Sequence, residues 1–465
     1  MQIGKKDVAW NFAATSMKLA AGLIVLPLIL RLLPNYEVGI YYLFLELIAF
    51  SALLDFGFSN SFTRNVTYVF SGAKNLLVTG YVSADSGAEI NYGMLKSVIR
   101  AMKRYYAALT VFFIILFIVI TPFYFSNVLK TYPPDIDTTH VWASWWLLGI
   151  LVAYQIYTYY YSSLLMARGY VKRNQQIIVL GQAVRIVICV VCLLLGFGLI
   201  SMVIGQLACD IVSRNLMHHV FYDKTLKIKL FAPDNKIIKV SEIMKVMTPN
   251  AIKMGVVFIG GFAVTRLSMF VAPIYLSLST VGSFGLTRQM VNIITSLGMV
   301  WFSAFYPQIT ERRLKNENHH LKRMYIKANL MLIGVFVVCG LGLIFAGPFL
   351  LNAVRSETML LSTSFIFLYL IIGFMEANHS LAAQVLLTKN EVPFFIPSII
   401  AGTMTVILLY IFLKFTALGV FSLILAPGIS QIIYQNWKWV YDVWKELKIK
   451  PIDYFIVFKN IFFNK

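Results

Sequence analysis

Charge is scarce in this 465-residue sequence and negative charge scarcest: 13% of residues are charged, with 20 Asp and Glu against 40 Lys and Arg. A soluble chain of this length needs far more polar surface, so a soluble globular protein is excluded. Cysteine is nearly absent too. Cys189, Cys192, Cys209 and Cys339 all sit in apolar runs, which leaves no disulfide framework. Cys189-x-x-Cys192 has the spacing of a redox or zinc pair, but thiols in such surroundings are expected to pack as small hydrophobes. The adjacent pairs His218-His219 and His319-His320 point to different helix faces without supporting ligands, so no metal site and no cofactor is expected. P-loop, nucleophile elbow and paired catalytic carboxylates are all missing, which argues against an enzyme. No cleavable signal is expected, because the first apolar run continues to Pro34 without a small-residue cleavage site.

What is present is apolar: 59% of the residues are hydrophobic and the mean hydropathy is +0.75. Apolar runs long enough for a hydrocarbon core of about 30 Å predict an all-α, polytopic membrane protein with about twelve transmembrane helices. The spans fall near 9–33, 38–63, 104–126, 141–166, 175–198, 199–219, 247–276, 280–306, 325–352, 358–388, 392–414 and 417–440. With both termini in the cytoplasm, 31 Lys and Arg fall inside, four (Arg31, Lys130, Arg355, Lys414) outside and five within spans. That asymmetry is the positive-inside rule, so the net charge of +20 reads as topology rather than nucleic-acid binding. The longest outside loop, around 127–140, is too short for the chemistry of a membrane glycosyltransferase, polymerase or ligase.

The chain also repeats itself. Val38-Gly39 opens span two as Val281-Gly282 opens span eight, and Pro122 has an echo in Pro348. Gly169 and Asn390 end spans four and ten, and Gly181 and Gly402 follow at the same offset. The organisation predicted is a six-helix bundle over 1–219, a basic cytoplasmic linker over 220–246, a second six-helix bundle over 247–440, and a cytoplasmic or interfacial tail over 441–465. Same-orientation repeats of this kind are a transporter architecture, with the substrate site expected between the halves near the midplane.

The stretch WNFAATSMKLAAGLIVLPLILRLLPNYEVGIYYLFLELIAFSALLDFGFSNSFTRN resembles bacterial polysaccharide and O-antigen flippases of the Wzx type, in the multidrug/oligosaccharidyl-lipid/polysaccharide (MOP) superfamily. Trp10-Asn11, Pro27, Arg31, Val38-Gly39-x-Tyr41, Asp55-x-Gly57 and Arg64 carry the resemblance, with VGSFGLTRQ and Pro307 in the second half. It implies a MOP fold in the bacterial inner membrane and alternating access. The implied cargo is an undecaprenyl-diphosphate-linked oligosaccharide moved from the cytoplasmic to the outer leaflet for polysaccharide biosynthesis. A glycan polymerase is a possible partner, and the surrounding membrane lipids contact the helices. Where many relatives carry an acid in span seven, this sequence has Thr265 before Arg266. Proton or sodium coupling through that acid is therefore not implied.

Intramembrane charge is costly and marks function or a structural pair. Arg266 and Arg288 fall at similar depth in spans seven and eight, and neither has an acidic neighbour in its own span. A substrate diphosphate would supply the missing anion through charge-assisted hydrogen bonds; pairing with Glu46 or Glu376 is the alternative. Arg288, Asn292 and Thr295 recur at helical spacing, as do Asn11, Thr15, Lys18 and Gly22 in span one, so both stripes should face a wet cavity or another helix. Lys18 is expected as a cavity cation or as a partner of Asp55. Arg185 and Asp210 are expected to form a structural ion pair inside the first bundle. Asp55 and Arg64 read as a gate or packing pair. Glu46 and Glu376 are candidate coupling acids, with His379 one turn from Glu376. Tyr154, Tyr157 and Tyr161 could stack on sugar rings or pack between helices. The function expected is a lipid-linked oligosaccharide flippase. Its rivals are a cation-coupled multidrug exporter of the same superfamily and a membrane glycan polymerase or ligase.

Overall fold

The computed structural model describes residues 5–73, 76, 89–233, 238–315, 317–389 and 393–462. Every regular element among them is helical. The first helices are α1 (Lys5–Leu32), α2 (Asn35–Leu54), α3 (Phe58–Phe70), α4 (Tyr92–Val128), α5 (Thr139–Thr158), α6 (Tyr160–Ala167), α7 (Val171–Leu194), α8 (Ile200–Phe221) and α9 (Lys224–Leu230). They are followed by α10 (Val240–Thr265), α11 (Leu267–Tyr275), α12 (Leu278–Leu314), α13 (Asn318–Val354), α14 (Thr363–Leu387) and α15 (Phe395–Phe415). The chain closes with α16 (Ser422–Ile432), α17 (Gln435–Glu446) and α18 (Pro451–Phe462).

Among the described residues eight helices are long and apolar enough to cross a membrane, nine if the bent pair α10–α11 counts as one. Helices also occupy the other three expected spans: α8, α12 and α16–α17. Their polar content and breaks keep them from standing alone as apolar spans. Gln206, Asp210 and Arg214 lie on α8, Arg288, Gln289 and Asn292 on α12, and α16 runs for only 11 residues. Lipid-like surface is prominent on α4, α13 and α15, where Phe112, Ile115, Phe123, Val338, Phe345, Phe349, Ile400 and Ile407 are all exposed. An exposed apolar face that would aggregate in water is the stable solution in hydrocarbon.

Several expected spans are broken helices. Span two divides into α2 and α3 at Asp55-Phe56-Gly57, where Phe56 and Gly57 take φ of 50° and 73°. Asp55 closes this corner. Its carboxylate accepts from Ser59 N (3.1 Å), Ser59 Oγ (2.7 Å) and Tyr106 Oη (2.5 Å), so it caps the start of α3. Span four divides at Tyr159, and span seven at Arg266.

Two compact units result, Met1–Phe258 and Ile259–Lys465, with the division falling inside α10. In the first, α1 packs on α7, α7 on α8, α2 and α4 on α5, and α5 on α8. In the second, α11 packs on α15, α15 on α16, α12 and α13 on α14, and α14 on α16 and α17. The neighbours correspond leg for leg. One pair of legs matches in detail: α4 and α13 both have 37 residues, and 318 less 92 and 348 less 122 both give 226 for helix start and internal proline.

The described residues of 220–246, the segment expected as a linker, pack within the first unit. Leu226 and Leu230 of α9 and Ile243 of α10 are buried in the same core as Phe62, Tyr106 and Leu164. In KTLKIKL the leucines recur at i and i+4 and turn inward, while Lys227 and Lys229 face out. In the second unit α10 meets α15 at Gly260 and Gly402, where a Cβ on Gly402 would lie 2.9 Å from Gly260 Cα. The tail is held down as well: α18 packs on α13, Lys322 Nζ pairs with Asp453 at 2.6 Å, and Val457 is buried while Phe455 is exposed.

Candidate functional site

Each unit holds a polar cavity built from helix faces that the sequence marks with charge. The cavity of the second unit has a volume of about 420 Å³. Arg266, Arg288, Asn292 and Thr295 all line it, together with Glu376 and Gln431. The expected stripe on α12 therefore turns inward as one face, and the arginine of α10–α11 meets it. Thr295 and Ser296 bond the carbonyls of Val291 and Asn292, at 3.0 and 2.8 Å, which satisfies their hydroxyl protons inside the helix.

Arg266 marks a 43° bend between α10 and α11, with φ −129° and ψ −25°. The Met269 N–H bonds the Arg266 carbonyl at 3.1 Å, leaving the Thr265 carbonyl without its usual partner one turn on. Arg288 Nη2 donates to it at 2.7 Å. A break in a membrane helix is tolerated where side chains re-satisfy the freed backbone groups and the backbone lines a cavity, and both conditions hold here. Arg288 is thus buried at 8% exposure, bound to backbone through Nη2 and part of the cavity lining. Glu376 lies within electrostatic reach of Arg288, so the cavity balances two guanidinium groups against one carboxylate. Ser268 Oγ donates to the Leu423 carbonyl at 2.9 Å and fixes α11 to α16 beside it. His379, one turn from Glu376, is tied to Asn436 Oδ1 at 2.8 Å instead of facing the acid.

The first unit's cavity, about 470 Å³, is lined by Lys18 of α1, Asn60 and Thr63 of α3, Ser162 and Ser163 of α6, Gln182 of α7, and Asp210, Ser213 and Arg214 of α8. Gly181 lets α8 approach α7: a Cβ there would meet Ser213 Oγ at 2.1 Å. Thr15 is exposed on α1 and does not line this cavity, and the side chain of Asn11 lies outside the described residues.

Asp210 does not pair with Arg185. Its Oδ2 accepts from Gln155 Nε2 at 2.7 Å and Gln206 Nε2 at 3.1 Å, and no ion pair joins it to Arg185 among the described residues. The register of α7 against α8 explains this. Gly205 lies against the Arg185 carbonyl and Gly181 against Cys209 and Ser213, so Arg185 is level with Gly205, more than a turn from Asp210. Asp55 is committed to capping α3, so it serves neither Lys18 nor Arg64, and Arg64 is exposed on α3. Glu46 is buried on α2 and lines neither cavity. In the tyrosine stripe, Tyr161 packs edge-on against His218, 5.5 Å between centroids, while Tyr157 is exposed.

Arg214, Gln155 and Gln182 were missed by sequence reasoning. The signal was available: Gln206, Asp210 and Arg214 recur at i, i+4 and i+8 on α8, with Ser213 beside them.

No family model matches the sequence, and no curated protein matches it. Solved structures do match in fold. One, described as an inward-facing multidrug resistance MATE family transporter of the MOP superfamily, superposes with a TM-score of 0.64 at 16% identity, over 94% of this chain and 95% of that one. The lipid II flippase MurJ, in an inward closed conformation, gives 0.61 at 15% identity over 96% and 89%. The MATE multidrug transporter DinF-BH, solved as a complex, gives 0.60 at 12% identity over 96% and 97%. The chain therefore has the all-α, multi-pass fold of MOP superfamily transporters. Its neighbours of known structure include both multidrug transporters and a lipid II flippase.

Proposed function

We propose that the protein is a flippase that carries an undecaprenyl-diphosphate-linked oligosaccharide from the cytoplasmic to the outer leaflet by alternating access. The observation that carries this reading is the second unit's cavity, which Arg266 and Arg288 line together with Asn292 and Thr295, Glu376 being the one acid among its lining residues. Paired guanidinium groups suit a diphosphate, because each planar fork offers parallel donors to phosphate oxygens. Lys18 adds a cation in the first unit's cavity, and Asn11 and Thr15 precede it on the same helix. In this reading Glu376, which shares the cavity with both arginines, couples substrate release to ion movement.

The protein acts as a transporter, not as an enzyme, in the bacterial inner membrane with both termini in the cytoplasm, where the excess of Lys and Arg places the basic loops. A glycan polymerase acting on the exported product is the partner this reading calls for. A multidrug exporter for cationic drugs is disfavoured by the surplus of positive charge in both cavities.

Deletion of the gene tests the proposal. A lipid-diphosphate-linked glycan should accumulate on the cytoplasmic leaflet, and the intact gene should clear it. Loss of dye efflux without such an intermediate would favour the exporter. Glycan bond formation by the purified protein would favour the polymerase or ligase.

A further inference from the structure

The first unit's cavity carries more positive charge than its acid answers. Lys18 and Arg214 line it with one carboxylate, Asp210, and that carboxylate is engaged by the Gln155 and Gln206 amides. The ion pairs among the described residues include neither Lys18 nor Arg214. Two buried polar atoms of its lining residues have no hydrogen-bond partner: Arg214 Nε, a donor, and Gln182 Oε1, an acceptor. Arg214 Nη1 rests 3.7 Å from Met217 Sδ, a soft and weak acceptor. Buried polar groups are nearly always satisfied, so an orphaned donor and an orphaned acceptor on one cavity wall call for a ligand with both functions.

The remaining lining narrows the ligand. Asn60, Thr63, Ser162, Ser163 and Ser213 bring hydroxyl and amide groups to the same space. A cavity of about 470 Å³ lies in the ordinary range for a small-molecule site. Most such sites are largely apolar with a few polar groups. This one is polar on several walls, which favours a ligand rich in hydroxyls over a drug or an acyl chain.

We infer that this cavity binds an acidic sugar, a hydroxylated ring bearing a carboxylate or a phosphate. Arg214 and Lys18 hold the oxyanion. Gln182 Oε1 accepts from a ring hydroxyl, and Asp210, whose second oxygen faces no described donor outside its amide clasp, accepts from another. The net charge of two cations and one carboxylate leaves one positive charge for the ligand to neutralise. The inference rests on the flippase reading in one respect only: the acidic sugar is then a unit of the transported glycan.

Binding by the purified full-length protein in detergent tests it, with glucuronate, glucose 1-phosphate, glucose and inorganic phosphate as probes. At least one acidic sugar should bind saturably and about tenfold or more tighter than glucose, and comparison of the two tells carboxylate from phosphate. Arg214→Gln and Lys18→Gln should each weaken that binding about tenfold, with Arg214→Lys between them and wild type. Lys229→Gln, in an exposed basic helix, should leave it unchanged. Each variant is first checked for the wild-type elution volume, and if Arg214→Gln does not fold, Arg214→Lys and Lys18→Gln decide. Equal affinity for glucose, equal affinity for inorganic phosphate, equal loss in Lys229→Gln, or no saturable binding would each overturn the inference. The lipid-linked intermediate of the deletion strain separates the two claims. A glycan of neutral sugars only would sink the acidic-sugar inference and leave the flippase standing. Absence of any intermediate would sink the flippase and leave the binding result to decide the cavity.

Discussion

Arg288 Nη2 bonds the Thr265 carbonyl at 2.7 Å, across the point where α10 breaks and α11 begins. One arginine thus does two things: it closes a helix end that would otherwise be unsatisfied inside a membrane, and it faces the cavity shared with Arg266 and Glu376. The arginines of this cavity are therefore not equivalent.

Arg288→Ala should lower the thermal midpoint in detergent as well as abolish glycan export. Leaving the buried Thr265 carbonyl without a donor costs about 1–3 kcal/mol. Arg288→Lys should recover part of the stability and little of the export, because a lysine reaches the carbonyl but offers no bidentate fork. Arg266→Ala should abolish export at normal protein levels, since the backbone bond of this residue to the Phe262 carbonyl is available to any side chain. Normal export by Arg266→Ala would remove this cavity from the substrate path.

Asp210 depends on Gln155, not on Arg185. Arg185→Ala and Asp210→Ala should therefore be additive within about 0.5 kcal/mol in stability. Gln155→Ala and Asp210→Ala should couple by more than that, because removing the amide strands a carboxylate that is 7% exposed. Strong coupling of the first pair, measured in a double-mutant cycle, would show that the ion pair forms in the membrane after all.

Impermeant thiol reagents on intact cells report the topology. Asn127→Cys and Glu357→Cys, both at exposed positions, should label from outside, and the exposed Lys229→Cys should not. Ser356 is unsuitable, being buried with its hydroxyl bonded to the Thr358 carbonyl at 2.7 Å. Labelling of position 229 from outside would overturn the proposed orientation.

Asp223 offers an acid-side test outside the membrane helices. The Leu226 N–H, together with Thr225 and Arg168, holds its carboxyl down at about 2, below the ordinary 3.8. A depressed folded value means that the contribution is complete above about 3.8 and is lost as the pH falls through about 2. Wild type should lose stability relative to Asp223→Asn across that window, and the two should run parallel above it. The comparison is read by thermal unfolding in detergent. Parallel curves throughout would mean that α9 is held by Leu226 and Leu230 alone.

The sequence by itself determined the class of the molecule, its helical legs and its internal repeat. These follow from composition and one-dimensional spacing: apolar run length answers to membrane thickness, and Pro122 and Pro348 announce matching legs before any contact is known. The polar face of α12 was equally legible, because Arg288, Asn292 and Thr295 share a helical face whatever packs against it. Tertiary structure alone decided the partners. Arg185 and Asp210 lie at similar distances from their helix ends, yet the register set by Gly181 and Gly205 separates them by more than a turn and gives Asp210 to Gln155. Arg214 lies near a helix end rich in basic residues, and only the meeting of α1, α3, α6, α7 and α8 makes it a cavity residue. Likewise, no periodicity could assign Arg288 to the Thr265 carbonyl. A hydrogen bond depends on a few tenths of an ångström between helices distant in sequence, and that distance is set by how side chains interlock, not by their order along the chain.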